Sequence, residues 1–318
     1  MKNLFMCTLL KDLSILFFLL FSITVFSQNS SISKAKITMI SDGIARLTVD
    51  PYSPDTSASK QIPGMVLVFS DEFNYEGKPD PANWTFESGF IRNDELQWYQ
   101  SDNANCSNGR LLIEGRRVNF PNPSYVSGST NWKTSRQTIN YTSSSIHSKG
   151  KHSWLFGRFE VRARIDTTKG SWPAIWTLGI NDEWPACGEI DLMEFYRKNY
   201  VPSVLANVGW GSAIENVAIW DSYSKPLSQL LLQDREWSRK YHIWRMDWTK
   251  DSICLYMDDV LYNCTLLKQT LNVNDSNPFL QPHFMLLNLA LGSNGGEPAN
   301  SVFPINYEVD YVRIYQKR

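Results

Sequence analysis

Trp184-Pro185-Ala186-Cys187-Gly188-Glu189-Ile190-Asp191-Leu192-Met193-Glu194-Phe195 is the stretch from which the fold and the chemistry of this chain are read. In an extended strand, side chains alternate between faces, so Glu189 and Asp191 share one face and Ile190 and Leu192 the other. The phase then breaks: Met193 and Phe195 are apolar and Glu194 is polar. One extra residue near Leu192 or Met193, a β-bulge, restores the alternation and sets all three carboxylates on one face. A helix would scatter them at about 0°, 200° and 140° around its axis. A hard-cation site would draw backbone oxygens from loops, whereas this array lies on a strand.

With one residue absorbed by the bulge, the two glutamate backbones stand about four strand steps, or ~13 Å, apart. Side chains leaning together close this to roughly 5–6 Å, near the ~5–5.5 Å of retaining glycosidases. One carboxylate then attacks the anomeric carbon while the other protonates the leaving oxygen and later activates water. Asp191 between them raises the proton affinity of its neighbours. Other chemistries lack their residues: there is no Gly-x-Ser-x-Gly elbow, and His147, His152, His242 and His283 form no His-Glu-x-x-His pair.

Outward from this strand, short runs of period two recur between turn residues. Examples are Leu111–Gly115, Gly157–Ile165 and His283–Leu291, and in the second Arg158, Glu160, Arg162 and Arg164 alternate with Phe159, Val161, Ala163 and Ile165. Helical periodicity is confined to Pro226–Asp234. Many short strands without intervening helices predict an all-β antiparallel sandwich. The 318 residues carry 31 Lys plus Arg against 32 Asp plus Glu, a net charge of −1 that argues against electrostatic capture of nucleic acid or an acidic membrane. The core can absorb some of the twelve tryptophans, and those beyond its needs suit a surface that stacks sugar rings.

Residues 1–27 read as a signal peptide. Lys2 opens the segment, Leu13–Phe26 is apolar but short for a membrane span of ~20 residues, and Val25-Phe26-Ser27 offers a small-residue cleavage pattern. The mature chain is therefore expected to be secreted or periplasmic, without a membrane span, and to act as a monomer. Residues 28–62 read as a linker or N-terminal strand, with a strand-like patch at Ile44–Val49, and residues 63–318 as the catalytic domain. Of the four mature cysteines, Cys254 and Cys264 flank a hairpin. A two-residue turn at Asp258-Asp259 opposes Cys254 to Asn263, so four reduced cysteines are the expected state, and three pairings stay open on sequence.

The Gly188–Glu194 segment resembles the bulged catalytic strand of glycoside hydrolase family 16, the laminarinase, lichenase, agarase and endo-galactanase clan. Phe69–Phe73, Asn93–Tyr99, Tyr141–Ile146, Phe156–Glu160, Trp172–Trp176, Leu287–Gly292 and Val309–Arg313 resemble further family segments, in family order from about Val66 to the C-terminus. The resemblance implies a β-jelly-roll with a concave cleft in which a polysaccharide is cut internally with retention. It implies Glu189 as nucleophile, Asp191 as its assistant and Glu194 as acid/base. It also implies Trp172, Trp176, Asn93 and Glu95 as sugar-binding groups, with Trp98, Trp132, Asn207 and Trp210 as further cleft residues. No cofactor is expected for catalysis; Glu72 and Asp310 resemble ligands of a structural calcium.

Laminarinase-like members carry Arg where this chain has Ser145 and His where it has Asn207. The expected substrate is a β-1,3- or mixed-linkage β-1,3-1,4-glucan, with a β-galactose-containing glycan as the alternative and a non-catalytic glycan-binding module as the contrasting class. The complete carboxylate strand argues against the last.

Overall fold

The computed structural model describes residues 36–39 and 45–318, so the expected signal peptide lies outside the described residues. The chain divides into two compact units between Val49 and Asp50. The first contains an antiparallel pair, Lys36–Met39 with Ala45–Thr48. The second starts ahead of Pro63: Arg162 donates to the Ser53 and Asp50 carbonyls, and Tyr241 N–H donates to the Pro51 carbonyl.

The larger unit is a two-sheet sandwich. A seven-stranded sheet runs in the order Ala218–Pro226, Val201–Gly211, Glu189–Lys198, Ser171–Gly179, His283–Leu291, Ser145–His147 and Thr85–Phe86, every neighbour antiparallel. A ten-stranded sheet is built around Gly157–Ile165 and Ile305–Lys317, and its short Gln97–Tyr99 and Thr138–Ser143 strands pair in parallel. The helix expected near Pro226–Asp234 is Leu227–Gln233. Among the described residues no helix is long and apolar enough to cross a membrane.

Apolar side chains meet between the sheets. Ile175, Ile190, Met193, Phe195, Val204, Val208, Met285 and Leu287 from the seven-stranded sheet share one buried cluster with Ile113, Phe159, Val161, Trp244, Met246, Val312 and Ile314 from the other. The opposite face of the seven-stranded sheet carries a separate small cluster of Ala174, Trp176, Phe284 and Leu286. Period-two alternation therefore sorts one sheet into a core-facing and an outward-facing side.

Two sequence expectations change in the ten-stranded sheet. Arg162, read as part of a wet face, is 4% exposed, because a register shift follows it and its guanidinium pairs with the buried Asp310. Cys254 and Cys264 form a disulfide. The Asp258-Asp259 turn is as expected, both residues at positive φ, but Leu255 pairs with Asn263 and Tyr256 with Leu261, leaving Tyr262 as an extra residue. That bulge moves the register by one and brings Cys264 opposite Cys254. Cys106 and Cys187 are free and buried, and burial raises both thiols, to about 12 and about 11.

Candidate active site

Gly188, at φ +78, turns the chain into the carboxylate strand at a place where an added Cβ would meet the Pro278 side chain at 2.8 Å. Along Glu189–Lys198, Glu189 pairs with Leu178, Asp191 with Trp176 and Glu194 with Ala174. Those three partners alternate on one face of their own strand, so the three carboxylates share that face. The register slips because Ile175 pairs with Met193 and Trp176 with Asp191, which leaves Leu192 as the inserted residue. Leu192 and Met193 both enter the core cluster, so their burial holds the bulge in place.

Neutral donors fix the carboxylates. Trp184 Nε1 donates to Glu189 Oε2 at 2.6 Å, and Trp172 Nε1 donates to Glu194 Oε1 at 2.9 Å. Asn207 Nδ2 bridges Asp191 Oδ2 at 3.1 Å and Glu194 Oε2 at 3.0 Å. Asp191 hydrogen-bonds both glutamates. Asp191 is 1% exposed, while Glu189 and Glu194 are half-buried.

Burial raises all three carboxyls. Asp191 lies well above the carboxylate range, pushed further by the charges of Glu194 and Glu189. Glu189 is raised by burial, against the pull of its hydrogen bonds to Trp184 and Asp191 and of the Arg92 charge. Glu194 is raised to about 7, mainly by burial. A group at that value is protonated in part of the population near neutrality and ionised in the rest, as a general acid that must turn general base requires. The cluster titrates as a unit.

Trp172 and Trp176 lie on the carboxylate face. Asn93 and Glu95 connect to it through side chains: Asn93 donates to Glu95, Tyr99 OH donates to Glu95 Oε2, Asn288 Nδ2 donates to the Tyr99 oxygen, and Trp176 Nε1 donates to Asn288 Oδ1 at 2.7 Å. Asn207 spends its amide N–H groups on Asp191 and Glu194. Trp98 is half-buried, with its ring edge-on to Phe90 at 5.4 Å. Trp210 requires correction: it alternates with Gly209, shares the inward side with Val208 and belongs to the core cluster.

The implied calcium ligands are both held in ion pairs. Glu72 receives Arg313 Nε at 2.9 Å and Nη2 at 2.7 Å, while Asp310 receives Arg162 and the Asp55 N–H. Each carboxylate already faces a fixed guanidinium, and a divalent cation beside it would meet like charge. In this structure the two side chains serve as ion-pair partners. Among the described residues no cluster of three or more His, Cys, Asp or Glu is grouped to hold a metal.

Three residues near the cluster escaped the sequence reading. Trp184, 41% exposed, reaches Glu189 from the preceding loop. Arg92 pairs with Glu87 and lies over the Trp176 ring, its Cζ 5.2 Å from the centroid. Trp220, 42% exposed, stands opposite Gly209, which itself stands opposite Glu189. Adjacency in sequence offered a signal for Trp184, which opens the decisive stretch, and for Arg92, which precedes Asn93. None existed for Trp220.

Known proteins bear on this geometry. A beta-glucanase of Rhodothermus marinus is 31% identical over 282 residues, covering 81% of this chain and 87% of the relative. A solved structure from work on endo-acting O-glycanases, with which human gut bacteria initiate mucin breakdown, is 33% identical with a TM-score of 0.73, covering 82% of this chain and 94% of that one. The laminarinase catalytic domain of Thermotoga maritima is 30% identical with a TM-score of 0.66, covering 80% and 99%. The model of the glycosyl hydrolases family 16 matches residues 97–313, a span that holds the bulged strand and both of its neighbours. The chain belongs to the glycosyl hydrolases family 16 and is an endo-acting hydrolase of O-glycosidic bonds.

Proposed function

We propose that the chain is an exported retaining endo-β-glycanase with Glu189 as nucleophile, Glu194 as acid/base and Asp191 as their proton partner. The observation that carries this reading is the placement of the three carboxylates on one sheet face, with Glu194 at about 7. In the first step Glu194 gives its proton to the glycosidic oxygen as that oxygen leaves, and a Glu189 oxygen bonds to the anomeric carbon. Trp184 Nε1 donates to Oε2 of Glu189 and orients that carboxylate for attack. Glu194 is then anionic, and the N–H groups of Trp172 and Asn207 stabilise that charge. In the second step Glu194 takes a proton from water, whose oxygen bonds to the anomeric carbon as Glu189 leaves. Asp191 stays protonated and donates to Glu189 when that carboxylate is released.

The substrate reading is a β-1,3- or mixed-linkage β-1,3-1,4-glucan, supported by the beta-glucanase and laminarinase relatives. A second reading, a β-galactose-containing glycan, is favoured by specific observations. Ser145 and Asn207 stand where laminarinase-like members carry Arg and His, Asn207 engages the carboxylates, and the chain resembles a structure associated with mucin breakdown. Hydroxyl-reading partners set discrimination between near-identical sugars. Incubation with laminarin, lichenan, agarose and poly-N-acetyllactosamine, followed by product sizing, decides between them. Internal shortening of laminarin or lichenan supports the first reading, and shortening of the lactosamine polymer or agarose alone supports the second. Binding without shortening of any polymer overturns the catalytic proposal.

A further inference from the structure

Trp220 has no part in the chemistry described above, yet it is a large aromatic side chain left 42% exposed beside the nucleophile. It lies in Ala218–Pro226, the edge strand of the seven-stranded sheet, directly opposite Gly209. Gly209 in turn is opposite Glu189. Residues paired across antiparallel strands project from the same face, so Trp220, Gly209 and Glu189 form one row on the carboxylate side.

Gly209 shows how the ring lies. A Cβ added there would meet three consecutive ring atoms of Trp220, Cζ3, Cε3 and Cη2, at 2.6, 2.8 and 2.9 Å. Near-equal distances to three bonded atoms arise when the added carbon enters through the face of the ring; approach along the ring plane would leave the outer two much farther away. The six-membered ring therefore rests flat on the glycine backbone, and its other face is turned away from the sheet. Any side chain at position 209 would have to displace it.

We infer that Trp220 is a stacking platform for a pyranose ring of the substrate, on the side of the carboxylates away from Arg92 and Trp176. This inference rests on the glycanase reading. Aromatic rings left flat and open beside a polar cleft suit sugars because the C–H face of a pyranose is apolar while its hydroxyls stay in water. The edge strand lies two strand spacings, about 10 Å, from the carboxylate strand. The sugar stacked on Trp220 is thus a neighbour farther along the chain, not the one at the scissile bond. A cleft that cuts internally needs purchase on both sides of the cut, and Trp220 supplies it on the side where the sheet ends.

The test is a chain-length series. Rates of kcat/KM are measured for laminari-oligosaccharides and for linear N-acetyllactosamine oligomers, from three sugars upward, with wild type, Trp220→Ala, Trp220→Phe and Gly209→Ala. In the series that wild type cleaves, the ratio of kcat/KM for the longest to the shortest substrate should fall about tenfold in Trp220→Ala. The same ratio should fall in Gly209→Ala and be largely kept in Trp220→Phe, with far-UV circular dichroism unchanged throughout. A ratio equal to wild type in Trp220→Ala, with or without a uniform loss at every length, overturns the inference while leaving the glycanase reading intact. Failure of wild type to cleave either series or the polysaccharide panel overturns both.

Discussion

Two sets of carboxylates in this molecule start from the same functional group and end in opposite roles. Glu189, Asp191 and Glu194 are gathered on one sheet face and held by tryptophan and asparagine N–H groups, with Arg92 the cation that acts on Glu189. Glu72 and Asp310, on the other sheet and its margin, each face a guanidinium. Neutral donors orient a carboxylate and leave its proton affinity to be raised by burial and by its neighbours. A fixed arginine converts the carboxylate into a structural anchor. Burial raises Asp310 as well, to about 6, against the pull of Arg162, so the reactive set differs from the struts in its neutral donors and its neighbouring carboxyls rather than in raised proton affinity alone.

The contrast predicts that damage to the first set falls on rate and damage to the second on stability. Glu189→Ala should lower kcat/KM about 10⁴-fold or more, on the order of 5 kcal/mol of transition-state stabilisation, with thermal unfolding little changed. Arg162→Met or Asp310→Asn should instead cost about 3–5 kcal/mol of stability, read by urea titration, because each strands one member of a pair whose side chains are 5% and 2% exposed. The activity per folded molecule should be kept. Replacing Arg162 and Asp310 together by apolar residues should recover only part of that loss, because the Ser53 and Asp50 carbonyls and the Asp55 N–H lose their partners too.

A subtler effect follows from Glu194. Its folded-state carboxyl lies at about 7, above the ordinary value of 4.5, so the native state binds more protons than the unfolded one between these limits. Stability contributed by this group is present at low pH and is lost as pH rises from about 4.5 through 7. Glu194→Gln removes the ionisation and should raise Tm by a few degrees at pH 8 and hardly at all at pH 4.5. The smallest effect is expected from calcium. Chelation should leave Tm unchanged, and a clear fall would show that Glu72 or Asp310 serves a cation after all.

Much of the sandwich was legible because strands leave strong local signals: alternation marks Gly157–Ile165 and a short, nearly continuous apolar run marks His283–Leu291, which is buried throughout, and both have the bounds read from sequence. The bulge in the carboxylate strand was legible from its phase, since Leu192 and Met193 break an otherwise regular alternation beside three carboxylates. The second bulge, at Tyr262, was not, because its neighbours give no comparable phase break. The Cys254–Cys264 disulfide was missed with it. Trp210 misled because a tryptophan in a cleft strand looks like a sugar platform until its parity with Val208 is known. The arginine partners of Glu72 and Asp310, and the place of Trp220 across Gly209, depend on strand pairings that sequence spacing alone does not give.

A single local event, the insertion of Leu192, sets Glu189 and Glu194 on one face, where the proposed mechanism has them act on one bond. Proton NMR of the first sugar released tests this most directly, recorded within the first minutes on whichever polysaccharide is cleaved and before mutarotation. Accumulation of the β-anomer is the predicted result. Initial release of the α-anomer would mean that water attacks directly, and it would contradict the covalent role assigned to Glu189.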